Sequence, residues 1–129
     1  MKVQHMPVTT KRLARGIYSA EWHGFIKIDE VYNASDAIDA LAQEDKVLKY
    51  ITVLTGNDIK QIPLDIRIMS QTVSKSTYAI LAYNSPFAGE LLGRMFNKLM
   101  PIQVKFFRDW DTLIAHANEL LEELSHELS

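Results

Sequence analysis

The sequence predicts an α/β fold: one single mixed, mostly parallel sheet of about five strands with about four helices, in the order ββαβαβαβα, with residues 1–129 forming one domain. Three observations predict it. Tyr50-Ile51-Thr52-Val53-Leu54 and Tyr78-Ala79-Ile80-Leu81-Ala82-Tyr83 are almost continuously apolar, as central parallel strands are when helices cover both faces. Apolar residues at helical spacing separate and follow these runs, which makes repeated βαβ units with right-handed crossovers. Finally, 129 residues at 47% hydrophobic content, with no cysteine, suffice to bury a core without disulfides or a structural metal.

A short, weak strand is expected around Val3 to Val8. Ile17 to Trp22 follows, with Tyr18, Ala20 and Trp22 on one face and Ser19, Glu21 and His23 on the other, the period of a half-buried strand. Gly24 closes it, and the opening pair is expected to be antiparallel. Asp29 can cap a helix to about Gln43, striped by Val31, Ala34, Ala37, Ile38 and Leu41. After the first apolar run, Ile66, Met69 and Val73 suggest a crossover helix. After the second, Asn84-Ser85-Pro86 is a helix start signal, with Phe87, Leu91, Leu92, Met95, Phe96 and Leu99 on one face. Ile102, Val104 and Phe106 alternate with Gln103, Lys105 and Phe107, so this strand lies nearer the sheet edge. Asp109 caps the last helix, whose stripe is Trp110, Leu113, Ile114, Ala117, Leu120, Leu121 and Leu124.

Composition excludes several function classes. Without cysteine there is no thiol nucleophile and no cysteine-bearing zinc site. No apolar run is long enough for a transmembrane span, and no basic n-region precedes an apolar h-region, so a cytoplasmic location is expected. The net charge of −2 argues against nucleic acid as partner. That sum hides a segregation, however. Residues 1–20 carry Lys2, Lys11, Arg12 and Arg15 and no acid, whereas residues 109–129 carry six acids and no Lys or Arg. Glu122, Glu123 and Glu127 stand at the helix end where the macrodipole disfavours anions. Their offset is the basic N-terminal segment, a neighbouring copy or another basic partner, unless the helix end is simply solvated.

Three sets of residues are candidate sites. Asn84, Ser85, Gly89 and Arg94 can hold an anion at a helix start beyond a parallel strand; the competing reading is an N-cap with close helix–sheet packing at glycine. Asn57, Asp58, Lys60 and Asp65 flank the loop after the third strand, and two carboxylates in unlike environments can serve as acid and base; the favoured reading is plainer, with Asp65 capping the next helix and Asp58 in a solvated turn. Phe25, Met69, Phe87, Met95 and Phe96 can line an apolar slot, although a plain core needs the same residues. His5, His23, His116 and His126 have no metal-ligand spacing, and His23 and His116 read as surface residues. No metal, catalytic set or cofactor is expected.

Tyr18 to Gly24, Ile28-Asp29-Glu30, Tyr50 to Gly56, Ala79 to Leu92, Arg94-Met95-Phe96 and Val104 to Asp111 together resemble the STAS-like superfamily, the fold of bacterial anti-sigma-factor antagonists. The likeness spans roughly residues 16–124 and is nearest to a branch of small, mostly uncharacterised bacterial members. With the architecture and the shortage of convergent catalytic residues, it implies a regulatory or protein-interaction module, not an enzyme, acting on a protein partner; a lipid or small apolar ligand in the slot is the alternative, and an enzyme of unrecognised type built on Asp58, Asp65 and Arg94 a third. A homodimer is expected separately, since two-fold symmetry is the commonest, with Phe107 or the charge-segregated termini as the contact. One departure matters. Antagonists of the superfamily are switched by a phosphorylated serine in the turn after the third strand, and Asp58 to Asp65 contains no hydroxyl residue. The resemblance therefore does not extend to that switch.

Overall fold

In a computed structural model that describes residues 7–61, 66–84, 94, 98 and 102–128, five strands form one sheet in the order β1-β2-β3-β4-β5. The strands are β1 (Val8–Ala14), β2 (Ile17–Phe25), β3 (Tyr50–Gln61), β4 (Thr77–Tyr83) and β5 (Gln103–Phe107). The helices are α1 (Ile28–Glu44), α2 (Ile66–Gln71) and α3 (Trp110–Leu128). β1 is antiparallel to β2, and β2 to β5 run parallel. The mixed, mostly parallel sheet is the one that the apolar runs demand.

Two cores lie on opposite faces. On one, Tyr18, Ala20, Ile26 and Tyr50 pack against Val31, Ala34, Ile38 and Ala42 of α1. On the other, Ile17, Ile51, Val53, Ala79 and Leu81 pack against Leu113, Ala117 and Leu120 of α3. Crossovers of one hand between strands laid side by side put their helices on one face, and α1 and α2 touch each other. α3 follows the last strand, crosses to nothing, and is free to cover the other face. Asp109 caps it: the backbone N–H and the hydroxyl of Thr112 both donate to its Oδ2, at 2.8 and 2.7 Å.

Several expectations are corrected. A strand runs over Val8–Ala14, later than the expected Val3 to Val8, of which residues 3–6 lie outside the described residues. Its Thr9-Thr10-Lys11-Arg12 stretch reads as polar because it forms a sheet edge, where charge guards against stray pairing. β2 runs past Gly24 to Phe25 and is not half-buried throughout: Ile17, Tyr18, Ser19 and Ala20 are all buried, because both helix layers cover them. α1 begins at Ile28 after Lys27, with no side-chain cap, and Asp29 lies inside the first turn. About four helices were expected; among the described residues there are two long ones and the six-residue α2, which stops before Val73. α2 is short because β3 runs for twelve residues instead of five, which uses up chain otherwise free for the crossover. The helix expected after Asn84 falls mostly outside the described residues; Arg94 and Lys98 are helical and exposed.

Candidate functional site

Polar side chains gather at both ends of the parallel strands. At the amino end stand Tyr50, first in β3, and Tyr18, second in β2. Both face α1, with rings edge to face at 5.6 Å and 85°. The Tyr50 hydroxyl donates to Asp39 Oδ1 at 2.6 Å, and Ser74 Oγ donates to the same oxygen at 2.7 Å. The Tyr18 hydroxyl donates to Asp45 Oδ2 at 2.7 Å and accepts from the Gly16 N–H at 3.3 Å. Asp45, just past α1, also pairs with the Arg12 guanidinium. Arg15 Nε donates to the Asp45 carbonyl at 3.0 Å, so cationic groups meet the negative end of the α1 dipole. The basic N-terminal segment thus caps α1, where the sequence left open a pairing with the acidic last helix.

Burial, then the Asp39 carboxylate, pushes the Tyr50 phenol up to about 12. Burial and Asp45 likewise raise Tyr18. A phenol so raised is a proton donor at neutral pH and neither base nor nucleophile. The two pairs clamp α1 to the sheet.

At the carboxyl end, where open α/β sheets bind ligands, three residues have left-handed backbones: Gly24 (φ 58°), Asp58 (φ 53°) and Asn84 (φ 49°). They lie on β2, on β3 and just beyond β4. The β2–β3 register shifts on both sides of Gly24, with β3 advancing two residues for each one of β2, so β3 bulges there, a device that re-aims side chains. Asp58 pairs with Lys60 at 3.0 Å, both exposed. Two residues apart on β2, His23 Nε2 and Glu21 Oε1 approach to 2.7 Å, again partly exposed. By register Glu21 lies beside Thr55 and His23 beside Asn57; Glu21 and His23 share the phase of Ile17, on the face that carries α3. The Asn84 N–H donates to the Phe107 carbonyl at 2.8 Å, tying the end of β4 to the end of β5.

The sequence candidates distribute as follows. Asn57, Asp58 and Lys60 belong to β3 itself, not to a loop after it, because their backbone keeps pairing with β2. Asp65 lies outside the described residues, as do Ser85, Gly89, Phe87, Met95 and Phe96. Asn84 is exposed and so is Arg94. Met69 belongs to α2, with its side chain outside the described set. Phe25 of the expected slot is 66% exposed. His116 is less of a surface residue than its position suggests: its ring packs against Phe107, with centroids 5.5 Å apart, and its Nε2 is buried without a hydrogen-bond partner. Among the described residues no three of histidine, aspartate and glutamate converge as a metal site requires.

Sequence reasoning missed Tyr18–Asp45 and Tyr50–Asp39, whose partners lie 27 and 11 residues apart with no motif linking them. The Glu21–His23 pair was legible in principle, since both sit on the polar phase of one strand.

No family model matches the sequence, and no curated protein matches it. Its structure is similar to the crystal structure of an uncharacterised protein of the DUF3478 family with a SpoIIAA-like fold from Shewanella loihica PV-4. The TM-score is 0.61 at 11% identity, covering 85% of this chain and 91% of that one. The likeness establishes a SpoIIAA-like, that is STAS-like, fold.

Proposed function

We propose that the chain is a non-catalytic regulatory or protein-interaction module of the STAS-like kind, acting through a protein partner or a second copy of itself. One observation carries this reading. At the amino end the buried phenols of Tyr18 and Tyr50 are joined to each other and, through the half-buried Asp39 and Asp45, to α1, while at the carboxyl end Glu21–His23 is partly and Asp58–Lys60 largely exposed to water. Acid–base catalysis draws on groups whose burial shifts their proton affinity toward the operating pH; here burial moves the two phenols away from it.

The test is an activity panel of esters, phosphate esters and nucleotides, run with the wild type and with His23→Ala and Asp58→Asn. No turnover by any of the three is expected. Turnover that disappears in either variant overturns the reading. Native mass spectrometry of the same sample addresses the ligand-binding alternative, which requires a retained lipid or acyl mass.

A further inference from the structure

We propose that the amino end of the sheet is a self-complementary surface through which two copies of the chain pair about a two-fold axis. The inference deepens the interaction reading and rests on it.

The surface is built from three loops tied together. Arg15, in the β1–β2 turn, donates to the carbonyls of Asp45 and Lys46 at 3.0 and 3.4 Å. Lys49 Nζ donates to the Lys75 carbonyl at 2.7 Å, and the Tyr50 N–H donates to the Ser76 carbonyl at 3.0 Å. In the segment between α1 and β3, Leu48 is 75% exposed and stands between Lys46 and Lys49 in sequence. Lys46, Lys49 and Lys75 are exposed, and among the described residues neither Lys46 nor Lys75 has a carboxylate partner. The hydrogen bonds hold this loop in place before any partner arrives, so a facing copy can cover Leu48 and meet the lysines at little ordering cost.

The complement lies at the same end of the molecule. α3 runs back across the sheet until Leu121 stands over Gly16 in the β1–β2 turn. Glu122 and Glu123 follow directly, both exposed, with no Lys or Arg anywhere in residues 109–129. A basic loop and an acidic helix end thus adjoin one another on one side of the chain. Two-fold symmetry sets each such patch against its opposite, because residue i meets j while j meets i. It also brings the two Leu48 side chains toward the shared interface. The other occupants fit less well. An anionic membrane or a nucleic acid would attract the lysines but meet Glu122 and Glu123 as like charges.

Sedimentation of the purified chain tests this. Wild type is expected to be dimeric at low salt and to dissociate as salt rises from about 50 mM to about 1 M, where screening shortens the range of charge. Lys46→Glu with Lys75→Glu, and separately Glu122→Lys with Glu123→Lys, should each raise the dimer dissociation constant at least tenfold. Mixed in equal amounts, the two variants should form a heterodimer, since both contacts then join opposite charges again; this recovery also shows that each is folded. A wild type that stays monomeric at about 1 mM chain in low salt, a dimer indifferent to both reversals, or a mixture that stays monomeric overturns the proposal. None of these outcomes touches the non-catalytic reading, which only turnover in the activity panel overturns.

Discussion

Tyr50 and Asp39 are joined by a 2.6 Å hydrogen bond between the first residue of β3 and the middle of α1. The tyrosine is 1% exposed, and Ser74 shares its acceptor. The bond lies beside the edge-to-face contact with Tyr18, which makes its own carboxylate bond to Asp45. Apolar packing supplies most of the attachment of α1, but packing is non-directional. The two phenols fix where along the sheet α1 sits.

Tyr50→Phe should cost about 1–3 kcal/mol, the range for leaving a buried polar group with one partner fewer. It should also change the alkaline limb of stability. An unfolded chain loses this proton near pH 10.0, and the folded chain only near 12. Between those values the folded state binds more protons, so stability falls as pH rises, by on the order of 2 kcal/mol. Urea midpoints measured from pH 9 to 12 should fall more steeply for wild type than for the variant. Parallel curves would show that the Tyr50 phenol titrates as it does in the unfolded chain.

Asp45 receives two bonds of unequal worth. Arg12 is 47% exposed on its side chain, and exposed pairs contribute roughly 0–1 kcal/mol. Tyr18 is fully buried, and its hydroxyl would lose its acceptor. Asp45→Ala should therefore cost about 1–3 kcal/mol, well above Arg12→Ala. Thermal or urea denaturation of the two variants decides it, and equal losses would assign the energy to the ion pair instead.

Asp109 holds α3 by accepting twice from Thr112, and these bonds hold its carboxyl below the ordinary carboxylate value. Its contribution is present above that ordinary value of 3.8 and is lost as pH falls through the lower folded one. Asp109→Asn, which caps without titrating, should flatten the acid limb of a melting-temperature profile between about pH 5 and pH 2. A profile as steep as that of wild type would place the acid sensitivity elsewhere.

The βαβ order was legible because it rests on local pattern. Tyr50–Leu54 and Thr77–Tyr83 are apolar on both phases, and the α3 stripe repeats at helical spacing over four turns. What escaped is what only pairing reveals. Thr9 to Arg12 is polar, and β1 exists because β2 lies beside it. Gly56-Asn57-Asp58 has the composition of a turn, yet it continues β3, since β3 absorbs its extra residues as bulges and stays paired with β2. Of the candidate sites, Asn57, Asp58 and Lys60 were named from composition, and their backbone state was inverted for the same reason. The phenol–carboxylate pairs left no local trace at all.

Two glycines separate backbone strain from simple crowding. At Gly16 the backbone is left-handed (φ 92°) and an added Cβ would stand 2.9 Å from Leu121 Cδ2. At Gly56 no left-handed angle is involved, but an added Cβ would stand 2.6 Å from Ile59 Cδ1. Gly16→Ala should cost on the order of 1–3 kcal/mol through the backbone, and adding Leu121→Ala should recover none of it, because the forbidden angle remains. Gly56→Ala should cost on the order of 1 kcal/mol through overpacking, and adding Ile59→Val should recover most of that by removing the very carbon that collides. Double-mutant cycles on urea midpoints measure both couplings. Strong coupling at Gly16 together with none at Gly56 would reverse the assignment, and would mean that the β1–β2 turn relaxes while the β3 bulge is rigid.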